Sequence, residues 1–395
     1  MGIEVSAKGR PARLFGQEPS LEEMARVLTE LVGKHSVSIS AVQGQGALNV
    51  RLCTAATARL WAVKNQWNMG CQTTTAGPGA HAALLELLDA VGGQTGLRWQ
   101  VEDPTGYAAD RDFGRLRAAH MNHLRQIARA MDQVDNTQER PVRFMNWPMT
   151  DQAYPVFEQG VVTPMGWFDN GSLAARAWQD VEALALDFFI WPNKEMDSWY
   201  WRNRALWNMW NRIFWTRDMS REEGAVMEES CRFLERAARL DEWIPLPRLE
   251  YEQLCDLLER PAQPWGNPAM DQPIEIGYRK QDYRHSLDNW SVTVDGNLRA
   301  RYPARNVLTL ARDQRTVKVE ALREDQPEMQ RRSFSMELGN TLYEGRFEQV
   351  GERSVLLGVC HAWDHSASAM VEITWPSVYD DRWARMTLMN IRWNP

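Results

Sequence analysis

Two runs of residues decide the fold class of the C-terminal region: Val307-Leu308-Thr309-Leu310 and Thr316-Val317-Lys318-Val319. Each alternates polar and apolar side chains, and a period of two residues is the pattern of a strand with one buried face. Similar short runs recur from residue 291 onward, and we expect the last strand at 386–393. The pattern predicts a β-rich domain over residues 274–395, folded as a sandwich or a curved sheet.

Upstream of this region the periodicity becomes helical. A linker of four prolines separates the two parts: Pro261, Pro264, Pro268 and Pro273. Before the linker, helices are predicted at 172–191, 195–216, 220–240 and 249–258. Ser220 and Glu223 have the spacing of a capping box, which predicts the start of the third helix. We therefore expect a helical region with a proline-rich connector over residues 136–260.

The N-terminal residues combine helix and strand signals. Ser20 and Glu23 have the spacing of a second capping box, which predicts the start of a helix. Gly33 predicts the end of the same helix. Alternating residues predict strands at 36–40 and 48–52, and further helices are predicted at 80–91 and from Asp110 onward. These signals predict an α+β domain over residues 1–135, with an antiparallel sheet covered by helices. The whole chain is then an α+β protein of several domains.

The composition restricts the class of partner. The chain has 395 residues, of which 44% are hydrophobic and 25% charged, and its net charge is −7. An acidic chain is a poor match for nucleic acid, and no apolar stretch is long enough to span a membrane. The five cysteines are scattered and never spaced as C-x-x-C, which favours reduced thiols. We therefore expect a cytoplasmic protein that binds neither nucleic acid nor membranes.

Tryptophan is unusually frequent, with 19 residues, and it clusters between Trp199 and Trp215. A helix over this segment is apolar on nearly every side, which indicates a buried helix. The alternative is an aromatic surface that stacks on a ligand. We expect Trp207 and Trp210 in the core. Three residues are candidates for an exposed ligand-binding surface: Trp201, Arg202 and Arg204.

A glycine-rich loop is the second candidate site. Gly77 and Gly79 lie between a threonine-rich strand and a predicted helix, and His81 follows them in the first turn. Free backbone N–H groups at a helix start bind anions, although no Gly-Lys-Ser/Thr follows as in a P-loop. We therefore take Gly77, Gly79 and His81 as candidate ligand-binding residues, with a tight structural turn as the alternative.

Histidines supply the remaining candidates. The segment His361-Ala362-Trp363-Asp364-His365 resembles the inverted zinc-protease motif H-x-x-E-H, with Asp364 in the position of the glutamate. The resemblance implies metal ligation by His361 and His365, but it covers five residues whose flanks have the pattern of strands. His120, near His123 on a predicted helix, is expected as a core histidine bonded to a backbone carbonyl. We expect no bound metal and no cofactor, because no complete set of ligands is recognisable.

These patterns favour a binding function over a catalytic one. We expect a non-catalytic binding or protein-interaction protein whose ligand surface is built from the Trp/Arg helices and the domain junctions. Its partner would be a protein or a small polar ligand, with self-association as a further alternative. The competing hypothesis is a hydrolase, metal-assisted, that uses His361, Asp364 and His365. A structural component of a larger assembly is the third alternative.

Overall fold

The fold is known from a computed structural model. It describes residues 2–12, 18–32, 38–42, 46–64, 66–132, 142–144, 153–155, 160–163, 165–168, 170–264, 267, 271, 276–322, 331–363 and 367–394. An antiparallel sheet at the N-terminus, helices in the middle and a sheet-rich C-terminal region make up an α+β protein, which confirms the predicted fold class. Among the described residues, no helix is long and apolar enough to cross a membrane.

The N-terminal part is a six-stranded antiparallel sheet with the strand order β2-β3-β4-β5-β1-β6. Its strands are β1 (Glu4–Pro11), β2 (Ser38–Val42), β3 (Ala47–Cys53), β4 (Ala56–Ala62), β5 (Trp67–Gln72) and β6 (Leu97–Glu102). The helices of this part are α1 (Leu21–Val32), α2 (Pro78–Thr95), α3 (Tyr107–Asp110) and α4 (Phe113–Asp132). The buried side chains of the alternating strands pack against α1 and α2.

Short strands precede the helices of the middle region. These strands are β7 (Val142–Phe144), β8 (Ala153–Pro155), β9 (Gly160–Thr163) and β10 (Gly166–Phe168), and three of them form a sheet with the order β10-β9-β7. The helices are α5 (Asn170–Gln179), α6 (Val181–Phe188), α7 (Ser198–Asn211), α8 (Arg221–Leu240) and α9 (Arg248–Leu257). The Ser220/Glu223 capping box is confirmed at the start of α8.

Two of the predicted helices differ from those in the structure. The single helix expected over 172–191 is two helices, because the Asp180 side chain accepts a hydrogen bond from Ala183 N at 3.0 Å and starts a new helix. The helix expected over 195–216 is shorter, since the Asp197 side chain caps its start and it ends at Asn211. The tryptophan cluster therefore continues beyond α7 into a loop.

The C-terminal region contains two sheets. The larger has seven strands in the order β13-β14-β15-β19-β18-β17-β16, and the smaller has the order β20-β12-β11-β8. The strands are β11 (Asp282–Leu287), β12 (Trp290–Asp295), β13 (Arg299–Ala304), β14 (Val307–Arg312), β15 (Arg315–Leu322), β16 (Phe334–Leu338), β17 (Thr341–Val350), β18 (Arg353–Ala362), β19 (Ser368–Pro376) and β20 (Ile391–Trp393). The two predicted runs at 307–310 and 316–319 are the antiparallel neighbours β14 and β15.

The strand expected over 386–393 is wrong in its first half. Helix α10 (Arg382–Met389) occupies this part of the chain, and only Ile391–Trp393 form a strand. Ala384 and Leu388 are both buried and lie four residues apart, so helical spacing places them on the same face against the larger sheet.

Among the described residues, three hydrophobic clusters hold these elements together. The first joins the N-terminal sheet to α7, α8 and α9, the second fills the C-terminal region, and the third lies between α4, α5 and α6. The middle helices therefore share apolar cores with the N-terminal elements. The domain limits at 1–135, 136–260 and 274–395 stay predictions.

Candidate functional site

The residues expected to form an exposed surface on α7 lie inside the protein. Trp201 is only 3% exposed, so the expected exposure of this ring is wrong. Arg202 is equally buried, and its Nε donates a hydrogen bond to the Pro245 carbonyl oxygen at 2.7 Å. Trp210 is buried, which confirms its expected place in the core, and Trp207 is half-buried.

An aromatic and guanidinium stack explains the burial of Trp201. The Arg204 guanidinium carbon lies 4.2 Å from the ring centre of Phe233 and 5.6 Å from that of Trp201. Arg236 of α8 lies 3.9 Å from the Trp201 ring centre. Arg204 and Arg236 therefore contribute to the packing of α7 against α8. Binding of a ligand by Trp201, Arg202 or Arg204 stays a prediction, and these contacts favour a structural use.

The glycine-rich loop is closed by a neighbouring segment. Gly79 N donates to the Trp191 carbonyl oxygen at 3.0 Å, and Trp191 N donates to the Ala76 carbonyl oxygen at 2.8 Å. The expectation of a free N–H at Gly79 is therefore wrong. A Cβ atom at Gly79 would lie 2.2 Å from the Asn193 carbonyl oxygen, so the close approach requires glycine. Gly77 also requires glycine, because its φ is 99°.

His81 belongs to a buried polar group behind this loop. Its Nδ1 lies 3.0 Å from Thr73 Oγ1, and its Nε2 lies 3.3 Å from Asp103 Oδ1. Burial opposes ionisation of Asp103, but the His81 ring beside it and hydrogen bonds from Thr105 and the Ala108 backbone N–H outweigh it and hold the pKa of the carboxyl well below its usual value. A hydroxyl, an imidazole and a carboxylate in this order are typical of nucleophilic sites. Because Thr73 and His81 are fully buried, the group serves to join β5, α2 and β6.

His120 lies beside His81, with the two ring centres 5.8 Å apart. Among the described residues neither of its ring nitrogens has a hydrogen-bond partner, so the expected bond to a backbone carbonyl is wrong. The ring instead packs edge-to-face on Phe189, with ring centres 5.5 Å apart. Burial lowers the pKa of His120 well below its usual value, so the ring is neutral at pH 7.

The motif that resembles the zinc proteases is described only in part. His361 lies at the end of β18, where its Nδ1 is 2.9 Å from Ser368 Oγ, and the strands predicted on both sides are confirmed. Asp364 and His365 lie outside the described residues. Within the described part of the chain, no group of three potential ligands is placed to hold a metal ion. The catalytic and metal-binding roles of His361, Asp364 and His365 stay predictions.

The structure shows a groove that the sequence did not reveal, at one end of β13, β14 and β15. Its volume is about 350 Å³. Five arginines line it, namely Arg299, Arg301, Arg312, Arg315 and Arg353, together with the two aspartates Asp218 and Asp313. We call this feature the arginine groove. It lies where the loop between α7 and α8 meets the larger C-terminal sheet.

Strands β13, β14 and β15 determine the positions of the residues that line the arginine groove. Arg299 and Arg301 lie two residues apart on β13 and so project from the same face, and Arg301 pairs with Thr309 of β14. The turn between β14 and β15 contains Asp313 and Gln314 and brings the ends of these strands to the same rim. The signal in the sequence was the spacing Arg-Ala-Arg at 299–301, but periodicity alone does not show which strands lie beside it.

Buried contacts hold one wall rigid. The Arg312 side chain is only 1% exposed, and its guanidinium donates to the carbonyl oxygens of Asp218 and Asn297 at 2.6 and 2.9 Å. Glu223 accepts hydrogen bonds from both Arg312 and Arg299. These contacts order the two arginines before any ligand arrives.

The other arginines keep their donors accessible. Arg301 and Arg353 are exposed, and in the described part of the chain neither has a carboxylate within ion-pair distance. Arg315 lies 3.9 Å from Asp295 and 5.0 Å from the ring centre of Trp383. The groove therefore has a fixed wall and free guanidinium groups on its rim.

Comparison with known proteins adds no assignment. The sequence matches no protein-family model and has no significant match among curated proteins.

Proposed function

We propose that this chain is a non-catalytic binding protein and that the arginine groove binds an anionic ligand through phosphate or carboxylate groups. The observation that carries the proposal is that two of the five arginines lining the groove, Arg301 and Arg353, are exposed and have no carboxylate within ion-pair distance among the described residues, in a chain with a net charge of −7. Such a local excess of positive charge attracts anions and raises their local concentration.

The chemistry of the side chains supports this ligand class. Guanidinium groups present parallel N–H donors that match the two oxygens of a carboxylate or phosphate. Arg312 and Arg299 are already ordered by Glu223 and Asp218, so a ligand does not have to fix them. A volume of about 350 Å³ is sufficient for a small polar ligand.

The place of the groove also supports the proposal. It lies between the loop after α7 and the larger C-terminal sheet, and ligand sites are common at such junctions. All five cysteines are free, which supports a reducing, cytoplasmic compartment. The hydrolase alternative stays a prediction, since Asp364 and His365 lie outside the described residues.

Calorimetric titration of the full chain with inorganic phosphate, pyrophosphate and succinate tests the proposal. We expect saturable binding of at least one of these anions, weakened about tenfold by Arg301→Ala or Arg353→Ala, because each change removes charge-assisted hydrogen bonds. Arg305→Ala is the matched control, since Arg305 is 87% exposed and lies outside the groove. Absence of saturable binding of all three anions, or an equal loss in the control, would contradict the proposal.

A further inference from the structure

Among the described strands, β16 is an edge strand of the seven-stranded sheet. It pairs with β17 without interruption, from Phe334 opposite Gly345 to Leu338 opposite Thr341. Among the described strands none pairs with its other side. Met336 and Leu338 are 43% and 45% exposed, so apolar side chains lie on this edge. Unprotected edges of this kind are places where another strand can be added.

Two other edges with described side chains are protected. At the opposite edge of the same sheet, β13 contains Pro303 and a register irregularity between Arg301 and Ala304. At the edge of the N-terminal sheet, β6 exposes the charged residues Arg98 and Glu102. Proline, irregular pairing and charge are the usual means of preventing strand addition. Strand β16 has no proline, its pairing from Phe334 to Leu338 has no register shift, and Glu337 is its one charged residue, so this edge is less protected than the other two.

The turn after β16 decides which backbone groups face outward. Gly339 and Asn340 form a two-residue turn, with a φ of 62° at Gly339, so Leu338 and Thr341 are a hydrogen-bonded pair. In an antiparallel ladder the direction of the backbone groups alternates along the strand. The N–H and C=O groups of Ser335 and Glu337 therefore point away from β17.

We infer that β16 pairs with β16 of a second copy of this chain, antiparallel, about a twofold axis at Met336. In this register Ser335 faces Glu337 of the second copy, and the outward backbone groups of both residues form hydrogen bonds in both directions. Met336 faces its own counterpart, and Phe334 faces Leu338. No like charges are opposed, so the five-residue strand is complementary to itself.

The side chains give a second reason for a copy of the same chain. Met336 is opposite the buried Tyr343, so it lies on the face of the sheet that forms the second core. Helix α10 covers this face, where Arg385 lies 5.1 Å from the ring centre of Phe334. A twofold axis perpendicular to the sheet keeps the core faces of both copies on the same side. Pairing therefore extends both apolar cores across the axis and covers Met336 and Leu338.

The short strand limits the strength of this contact. Interfaces well below about 1,200 Å² are characteristic of weak complexes, so the dimer depends on concentration. Sedimentation of the full 45.6 kDa chain between about 1 and 300 µM should show a monomer that converts to a dimer. A chain that stays monomeric throughout this range overturns the inference, and so does growth into larger oligomers instead of dimers.

Two variants test the register. Met336→Lys places like charges opposite each other, and Glu337→Pro removes an outward N–H without removing a bond to β17. Each should weaken dimerisation at least tenfold. Val378→Lys is the control because Val378 is 87% exposed and lies in the turn after β19. Dimerisation that persists in both edge variants, or that is lost equally in the control, overturns the inference.

Cross-linking gives an independent measurement. In Met336→Cys the two thiols face each other in a non-hydrogen-bonded pair, where Cα atoms are about 4.5 Å apart and within the range for a disulfide. Diamide oxidises the two thiols to one disulfide and takes up their two hydrogens. All five native cysteines are buried, and Val378→Cys supplies the matched control. We expect cross-linked dimer only with Met336→Cys, and equal cross-linking of both variants overturns the inference.

Discussion

The guanidinium group of Arg312 donates two hydrogen bonds to the backbone carbonyl oxygen of Asp218, at 3.1 and 2.6 Å. Because Asp218 lies between α7 and α8 while Arg312 ends β14, this contact ties the helical region to the larger C-terminal sheet. The Arg312 side chain is almost completely buried, and Glu223 is its charged partner. Arg312 is therefore a central contact of this junction, beside the hydrogen bond from Arg299 to Glu223.

We predict that Arg312→Ala lowers the free energy of unfolding by about 3–5 kcal/mol, because it removes one of the buried donors to the Glu223 carboxylate and the side-chain donors to two backbone carbonyls. Urea denaturation followed by fluorescence measures the change. Arg217→Ala is the control, since Arg217 forms an exposed ion pair with Asp256, and it should cost less than about 1 kcal/mol. Equal losses in the two variants would contradict the importance of the buried contact.

We predict an acid-sensitive contribution from Asp103. Its pKa is lowered in the folded protein, so the stabilisation is complete above about pH 5, begins to be lost as the pH falls below the unfolded value of about 3.9, and is lost fully only as the pH falls through the lower folded pKa. Asp103→Asn should therefore lower Tm most at pH 7, and the difference from the wild type should shrink towards about pH 3. Thermal melts across this range measure it. Asp256→Asn, at an exposed position, should show no comparable trend, and a constant difference for Asp103→Asn would refute the prediction.

We predict a second, separate pH effect from His120. Burial lowers its pKa in the folded protein, so only the unfolded chain gains a proton as the pH falls below about 6.5, and stability decreases. His120→Phe keeps an aromatic ring against Phe189 and removes two unsatisfied nitrogens, so we expect a gain of about 1–3 kcal/mol. Its stability should also be less sensitive to pH between about 5 and 7. A loss of stability at pH 7 would show that this ring has a polar partner.

We predict opposite outcomes for two tryptophans. Trp201→Ala should cost about 3–5 kcal/mol, because it empties a buried site under Arg204 and Arg236. Trp178→Ala should change stability by less than about 1 kcal/mol, since that ring is 70% exposed and stacks only with Arg129 in the contacts described. Denaturant melts of both variants decide the matter. Nearly unchanged stability of Trp201→Ala would restore the interpretation of this ring as a surface anchor.

Local patterns predicted local structure well. The alternation at 307–310 and 316–319 identified β14 and β15, and Ser220 with Glu223 identified the start of α8, because each signal involves only neighbouring residues. Exposure was harder to predict. A helix that is apolar on nearly every side gives no indication of which ring faces solvent, and α8 covers Trp201.

The arginine groove was beyond the reach of the sequence for a related reason. Its residues come from β13, β14, β15, β18 and the loop after α7, and only the folded chain brings them together. Arg353, for example, is far in sequence from Arg301, and nothing in either local pattern pairs them. Long-range strand order therefore determined the site, whereas the motifs in the sequence determined only the elements.

The backbone hydrogen bonds of Trp191 to Ala76 and Gly79 affect when the N-terminal part can fold during protein synthesis. Two backbone hydrogen bonds connect Trp191 to Ala76, in the loop before α2, and to Gly79, in the first turn of α2, and the Asn193 carbonyl oxygen lies close to Gly79. A nascent chain that has emerged only to about residue 135 lacks this cover, and it also lacks α7, which belongs to the same apolar core. The N-terminal sheet therefore completes its packing only after α7 has emerged from the ribosome. Until then the threonine-rich loop stays open to solvent and to chaperones.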